Sequence, residues 1–264
     1  MTVTRMPTLF IPHGGGPCFF MDDPAGNWRS MEAFLKGLSG LLPAAPRAIL
    51  VVSGHWETAG FAFTSGVAPN LIYDYFGFPP HTYEITYPVP GAPDLAARAG
   101  ALIAAAGIEA AQDPMRGLDH GVFVPLKVAF PEAAIPVVEM SVERGLDPEL
   151  HRRAGAALAP LRDEGVLIVG SGMSFHNMRA YGRSGSTAAS AEFDRWLTDA
   201  VGQPAAIRAP LLADWASAPS ARFSHPREEH LIPLMVAAGA AEGPGTQVFG
   251  DEVLDTFISG YRFD

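Results

Sequence analysis

The chain has 264 residues, of which 48% are hydrophobic and 17% are charged, and its formal net charge is -10. This composition excludes a disordered chain and suits a single domain over residues 1–264. Phosphate binding depends on clustered Lys and Arg, which this acidic sequence lacks, so we expect no nucleic-acid partner.

The sequence also excludes a membrane-spanning segment and an intrachain disulfide. No apolar run approaches the ~18 residues that span a bilayer. Pro7 and Pro12 interrupt the apolar start of the chain, so we expect no signal peptide and a cytoplasmic location. Cys18 is the lone cysteine, which excludes an intrachain disulfide and a thiolate-rich zinc site. Any metal must therefore be held by His, Asp or Glu.

Apolar runs alternate with helical patterns along the chain. The predicted strands are Thr8–Pro12, Ala48–Ser53, Phe61–Thr64, Ile135–Ser141 and Val166–Gly170. The predicted helices are Asn27–Leu38, Asp94–Ala106, Val122–Ala129, Asp147–Arg162, Ala188–Val201 and Pro226–Ala238. Strands without polar alternation are buried on both faces. The pattern predicts an α/β fold with a mixed, largely parallel central sheet flanked by helices on both faces.

One long segment, Asn70–Pro93, is rich in Pro, Gly, Tyr and Phe and predicts an ordered loop. Long loops in compact domains often form binding sites, so part of a substrate pocket is expected here. Its aromatic side chains either line that pocket or simply anchor the loop. They are Tyr73, Tyr75, Phe76, Phe78 and Tyr83.

Five of the eight histidines stand where a predicted strand, turn or loop ends: His13, His55, His120, His176 and His230. Ligands of open α/β sheets bind at the carboxyl ends of strands, so several of these imidazoles are expected to converge. Imidazole is the commonest metal ligand in proteins. The glycines after His13 and before His55 permit the close backbone approach that a crowded site requires.

The sequence excludes a phosphate-binding loop and a serine nucleophile, and it leaves the last metal ligand open. The triple glycine after His13 lacks the Lys-Ser/Thr pair of a phosphate loop, and no GxSxG motif marks a serine nucleophile. His230 follows Glu228 and Glu229 at a predicted helix start, so any of the three could be a ligand. Two histidines with one carboxylate suit Fe(II), whereas three histidines suit Zn(II) or Fe(II).

Three further polar residues carry expectations. Asp119 is expected either to orient His120 or to cap the helix that follows it, and the residue type favours the capping role. Asn177 is expected to hydrogen-bond His176, as partners of metal-site histidines commonly do. His151, within a polar run, is expected on a solvated helix face.

Seven motifs in order resemble the class III extradiol ring-cleavage dioxygenases, in the branch of the 4,5-DOPA extradiol dioxygenases. The resemblance runs through most of the chain. The motifs are PHGGGP, VVSGHW, FGFP, YPVPGAP, LDHGVFVPL, GSGMSFHN and EHLIPL.

The resemblance implies a role for each histidine. His13, His55 and His230 would be metal ligands, and His176 would be the acid–base group or an additional zinc ligand. His120 would hydrogen-bond the substrate or oxygen. The implied reaction uses Fe(II) and O2 to open a small aromatic diol beside its hydroxyls, giving a semialdehyde. Zn(II) is an alternative bound metal.

Two departures from the DOPA-cleaving pattern leave the substrate open. Arg227 to His230 stand where a Thr-Pro-Glu-His run is typical, and Ile85 begins a stretch where His-Tyr-Pro is common. Two other functions fit the same residues: a zinc-dependent hydrolase, and a noncatalytic relative that binds a ligand or a partner. An oligomer is compatible with the sequence.

Overall fold

Eight strands form one sheet in the computed structural model, which describes residues 3–183 and 185–264. They are β1 (Thr8–Pro12), β2 (Ala48–Thr58), β3 (Phe61–Thr64), β4 (Ala110–Asp113), β5 (Val137–Glu143), β6 (Val166–Gly172), β7 (Gly245–Val253) and β8 (Thr256–Phe263). Their spatial order is β4-β3-β5-β2-β6-β1-β8-β7. The central strands β5, β2, β6 and β1 pair in parallel, and β8 and β7 continue the sheet antiparallel at one side.

Helices connect the strands and cover the sheet. They are α1 (Arg29–Lys36), α2 (Pro93–Ala105), α3 (His120–Ala129), α4 (Pro148–Leu158), α5 (Pro160–Asp163), α6 (Ser186–Val201), α7 (Ala205–Ala213), α8 (Ala221–Ser224) and α9 (Ile232–Gly239). The predicted fold class, a mixed and largely parallel sheet with helices on both faces, is confirmed.

Alternate residues of each central strand enter two different cores. On β2, Leu50 and Val52 pack with α2, α4, α6 and α9, whereas Ile49 and Val51 pack on the opposite face with α1 and α3. Successive side chains of a strand point to opposite faces, so an apolar residue at every position fills both layers. This explains the continuous apolar runs of the sequence.

Several predicted boundaries are wrong for identifiable reasons. The helix predicted over Asp147–Arg162 is interrupted at Ala159, because Pro160 has no N–H for the ladder. The last helix begins at Ile232 and not at Pro226, so His230 lies in the turn before it. The β7–β8 hairpin was not predicted: its turn residues Leu254 and Asp255 adopt φ 50° and 59° without the usual Asn-Gly signal.

An irregularity in β2 re-aims the end of that strand. Val52 pairs with Met140 and Glu57 pairs with Val142, so five steps along β2 correspond to two along β5. The extra residues bulge out of the ladder and include His55. Bulges turn side chains toward sites at sheet edges, and this one brings His55 to the carboxyl edge.

Helix α9, which follows His230, is fixed at its far end by two buried arginines. Arg208 donates to the carbonyls of Ala238 and Ala241 at 2.9 and 2.7 Å, and Arg162 donates to that of Ala240 at 3.0 Å. The last carbonyls of a helix have no intrahelical partner, and cations satisfy both their hydrogen bonding and the helix dipole. The C-terminal end of α9 is thereby held in place.

His151 is fully buried, which overturns the expectation of a solvated helix face. Its Nδ1–H donates to the Asp147 carbonyl at 2.7 Å, and its Nε2 accepts from the Glu143 amide at 3.0 Å. Burial lowers the pKa of His151 to about 4. The ring therefore links α4 to the end of β5 as a neutral imidazole.

No helix in the described ranges is both long and apolar enough to cross a membrane. The cytoplasmic location stays a prediction of the sequence.

The buried neutral His151 predicts a pH-dependent loss of stability. Because its folded pKa of about 4 lies below the unfolded value near ~6.5, the unfolded chain binds more protons below that value, and stability falls as pH falls. Between pH 7 and pH 5 this residue should account for about 2 kcal/mol. In urea unfolding, the His151→Gln variant should have a smaller free energy of unfolding than the wild type at pH 7. On acidification, that free energy should fall less in the variant than in the wild type.

Arg153→Gln, on the exposed side of the same helix, is the matched control and should keep the wild-type pH slope. An equal slope in His151→Gln would show that His151 does not titrate on unfolding.

Candidate metal centre

Five histidines line one cavity at the carboxyl edge of the sheet. His13 follows β1, and His55 lies on the bulged part of β2. His120 is the first residue of α3, His176 follows β6, and His230 lies just before α9. The convergence predicted from the sequence is present in the structure.

Three of these rings direct one nitrogen toward a common point. His55 Nε2 lies 3.3 Å from His13 Nε2 and 3.2 Å from His230 Nε2. One nitrogen from each of the three falls within 4.8 Å of the others. Such spacing places three nitrogens around a volume that a single ion would fill.

The opposite nitrogen of His13 is occupied by a hydroxyl. His13 Nδ1 lies 3.3 Å from Ser171 Oγ, and Ser171 Oγ donates its own hydrogen to the Gly121 carbonyl. The hydroxyl oxygen therefore accepts from Nδ1–H of His13. This tautomer leaves a lone pair on Nε2.

The opposite nitrogens of His55 and His230 face carboxylates. His55 Nδ1 lies 3.4 Å from Asp74 Oδ2, and His230 Nδ1 lies 2.9 Å from Glu229 Oε1. A carboxylate accepts and cannot donate, so each ring carries its hydrogen on Nδ1. All three Nε2 atoms consequently present lone pairs to one another.

These imidazoles are held neutral. Burial, followed by the neighbouring histidines, lowers the pKa of His13 well below its usual value. Burial also lowers the pKa of His230, and it lowers that of His55 to about 4. Three neutral rings with converging lone pairs repel each other unless a cation lies between them. The donor set fits a divalent metal such as Zn(II) or Fe(II).

His120 is held by Asp74. Asp74 Oδ1 accepts from His120 Nδ1 at 2.8 Å and from the His120 backbone amide at 3.0 Å. Burial works to raise the pKa of Asp74, but the hydrogen bond from His120 outweighs it and lowers the pKa to about 2. The carboxylate fixes the His120 ring and leaves Nε2 as the nitrogen free for chemistry.

His176 is held by Glu229 in the same manner. Its Nδ1 lies 3.2 Å from Glu229 Oε1, and its ring stacks on His230 with centroids 3.5 Å apart. Burial works to raise the pKa of Glu229, but the hydrogen bonds from His176 and His230 outweigh it and hold the pKa well below its usual value. His176 thus lies beside the convergent nitrogens without joining them.

A buried acidic pair lies behind the site. Asp119 stands at the N-terminus of α3, but its side chain does not cap the helix; it accepts from Ser53 Oγ at 2.8 Å and from Arg116 at 3.3 Å. Glu139 Oε2 accepts from the Asp119 amide. Burial, then the charge of Asp119, raises the pKa of Glu139 well above its usual value. The expected capping role of Asp119 is therefore wrong.

Glycine is required where backbone segments meet at the site. A Cβ on Gly54 would lie 2.3 Å from the Glu229 carbonyl oxygen, and one on Gly121 would lie 2.6 Å from Ser53 Oγ and 2.9 Å from the His55 ring. All three distances are far inside van der Waals contact. The predicted close approach at Gly54 is present.

The cavity that the histidines line has a volume of about 790 Å³. From the aromatic loop, Tyr75, Phe76 and Phe78 line it, whereas Tyr73 and Tyr83 pack into the core on that side of the sheet. The loop therefore serves both as a pocket wall and as an anchored surface segment. Pockets of this size bind small organic ligands.

The sequence matches a protein-family model over residues 8–259, that of the catalytic LigB subunit of aromatic ring-opening dioxygenase. The chain belongs to the LigB family. A dioxygenase of Hapsidospora irregularis is 40% identical over 98% of this chain and 86% of its own length. The 4,5-DOPA dioxygenase extradiol of Beta vulgaris is 40% identical over 89% of the chain, and that of Escherichia coli is 32% identical over 92%.

The fold is shared with a solved relative. An uncharacterized protein of Escherichia coli K12 superposes with a TM-score of 0.79 at 28% identity, over 98% of this chain and 100% of the other. The LigB-family protein described here is an extradiol ring-cleaving dioxygenase that depends on a nonheme metal. The family resemblance predicted from the motifs is confirmed.

Two functional groups of the site were not assigned from the sequence as the structure has them. Asp74, the anchor of His120, lies in the aromatic loop, where an acidic side chain among aromatics is the available signal. Glu229, one of three residues that could be a ligand, contacts both His230 and His176. Asn177 donates to the Phe223 carbonyl, so the expected hydrogen bond to His176 is absent from the described contacts.

The anchoring of His120 predicts the effect of Asp74→Asn. Loss of the carboxylate should free the His120 ring and lower kcat about 10-fold to 100-fold, as is usual when the partner of an active-site histidine is removed. Oxygen uptake with an aromatic diol, at saturating metal, measures the change.

Glu84→Gln removes an exposed carboxylate from the same loop and should leave kcat unchanged. Wild-type kcat in Asp74→Asn would refute the positioning role of this carboxylate.

Proposed function

We propose that the protein is a nonheme Fe(II) dioxygenase that opens the ring of a catechol beside its two hydroxyls, with His13, His55 and His230 as the metal ligands. The observation that carries this proposal is the convergence of three lone-pair nitrogens, in which His55 Nε2 lies 3.2 and 3.3 Å from the other two. The opposite nitrogen of each ring faces a hydroxyl or a carboxylate. The neutral imidazoles of these three residues would hold a divalent metal such as Fe(II) at the edge of the cavity.

Iron is the metal that this reaction calls for. Three imidazoles suit Zn(II) as well as Fe(II), but zinc has no redox chemistry with which to engage O2. When bound, Fe(II) supplies Lewis acidity and the electron transfer that lets dioxygen react with an aromatic diol.

The proton chemistry falls to the two histidines outside the ligand set. His176 donates its Nδ1 hydrogen to Glu229, so its Nε2 can take a phenolic proton and return it later. His120, oriented by Asp74, presents its Nε2 to the same cavity and can hydrogen-bond the substrate or oxygen. His176 is not among the three residues whose nitrogens converge, which favours proton transfer over ligation for this ring.

The product expected from this chemistry is a ring-opened semialdehyde. Both atoms of O2 enter the product when the bond beside the two hydroxyls breaks, so no external reductant is consumed. DOPA is one candidate substrate, since relatives 32–40% identical are named for it.

The ligand set predicts which substitutions release the metal. His13→Ala and His55→Ala should each abolish metal retention, because two remaining imidazoles hold a divalent ion too weakly. His120→Ala should keep the metal and lower kcat about 10²-fold to 10⁴-fold, the usual loss for an acid–base group. Metal content by mass spectrometry and oxygen uptake measure the two effects.

His81→Ala changes an exposed histidine of the aromatic loop and should retain both metal and activity. Full metal content in His55→Ala would show that the ligand set is wrong.

The choice of metal is tested by reconstitution. Apoprotein loaded anaerobically with Fe(II) should turn over a catechol on admission of O2 and give a yellow semialdehyde, whereas the Zn(II) form should not. Absence of oxygen uptake across a broad catechol panel would refute the proposed Fe(II) dioxygenase reaction. A zinc-dependent hydrolase or a ligand-binding protein would then be the remaining hypotheses.

A further inference from the structure

The cavity beside the histidines is much larger than a catechol ring requires. Its volume of about 790 Å³ lies near the upper end of pockets that enclose drug-sized ligands. The ring to be cleaved must lie against the histidines at one end. The remaining volume is available to a substituent on that ring.

The walls of this remaining volume are apolar. They include an indole, two thioethers and an aliphatic chain, from Trp28, Met21, Met173 and Leu254. Thioethers and aromatic rings accommodate varied apolar shapes, which suits a hydrocarbon substituent more than a polar one.

The mouth of the cavity carries two exposed apolar side chains. Phe76 is 89% exposed and Met178 is 71% exposed, and both line the cavity. They come from separate segments, the aromatic loop and the turn after β6. Exposed apolar groups gathered around a cavity mark a binding surface, because covering them removes apolar area from water.

The charged groups of this wall are acidic. None of the described residues lining the cavity is Lys or Arg, whereas Asp22 and Asp23 both line it. Asp23 accepts from the Asn27 and Trp28 amides at 3.0 and 2.8 Å, and these hydrogen bonds lower its pKa. Asp23 is thereby kept ionised near neutral pH, and an anionic substituent would meet like charge at this wall.

Three arginines lie close along the chain to this wall or to the last ligand, and none of them lines the cavity. One is Arg179, an exposed residue that follows Met178. Arg227, three residues before His230, forms a two-pronged pair with Glu57 at 2.6 and 2.7 Å. Arg29, at the start of α1, lies against Gly26. Neither is among the residues that line the cavity.

We propose that the preferred substrate of this site is a catechol with an apolar, uncharged substituent that fills the cavity, and that catechols whose substituent carries a net negative charge are discriminated against. The inference rests on the proposed function for the cleavage of the ring. It assigns specificity to Phe76, Met178 and Asp22, which have no part in the proton chemistry.

Four probes test size and charge separately: 4-methylcatechol, 4-butylcatechol, 3-(3,4-dihydroxyphenyl)propanoate and the methyl ester of that acid. With the Fe(II)-loaded enzyme, kcat/KM for the butyl compound should exceed that for the methyl compound about 10-fold, because three more methylenes are buried. The ester should exceed the acid about 10-fold, because it lacks the charge. Anaerobic calorimetry should give the same ranking of dissociation constants without turnover.

Variants assign these preferences to residues. Phe76→Ala and Met178→Ala should each lower the butyl-to-methyl ratio at least twofold, whereas Met115→Ala, also an exposed methionine but outside the cavity, should not. Asp22→Asn should lower the ester-to-acid ratio about twofold to fivefold. Glu132→Gln, an exposed carboxylate outside the cavity lining, is its charge-matched control.

The outcomes separate the two proposals. Equal kcat/KM for butyl and methyl compounds, or an acid as good as its ester, would overturn the inferred specificity while leaving the dioxygenase intact. Failure to turn over any probe would overturn the proposed function, and the calorimetric ranking alone would then decide the inference about the cavity.

Discussion

Three imidazole nitrogens with mutually repelling lone pairs are the constraint around which this protein is built. The rings stay neutral because they are buried, and they stay oriented because each Nδ1–H has an acceptor outside the triad. Those acceptors come from β6, the aromatic loop and the turn before α9. Repulsion between the lone pairs raises the energy of the empty site, and a bound cation turns it into attraction. The fold therefore favours metal binding.

Two carboxylates give the site an internal regularity. Asp74 contacts one proposed ligand, His55, and one free imidazole, His120. Glu229 likewise contacts His230 and His176. Each acid therefore orients a metal-binding ring and a proton-handling ring together. Displacement of either carboxylate would disturb both metal binding and proton transfer. The two functions therefore depend on the same two side chains.

The sequence predicted five of the eight described strands, most of the described helices and the five converging histidines, because apolar runs and strand-end placement are local signals. It did not predict the bulge in β2 or the role of Asp74 in orienting His120. Both depend on partners distant in the chain. His151 shows the same limit. It lies within a polar run of sequence, yet its ring is buried against Phe61 and accepts a hydrogen bond from the end of β5. The β7–β8 hairpin escaped because its turn lacks the residues that normally mark one.

The proposed ligands lie far apart in sequence, from the end of β1 to the turn before α9, and this has a consequence for folding. No short segment of the chain contains the site, so an ion has little to bind until the long-range contacts of the sheet have formed. A metal that binds only the finished fold stabilises the whole domain by mass action, and does not nucleate one part of it. Saturation with metal would then be reported by the melting of distant helices such as α6 as clearly as by the pocket itself.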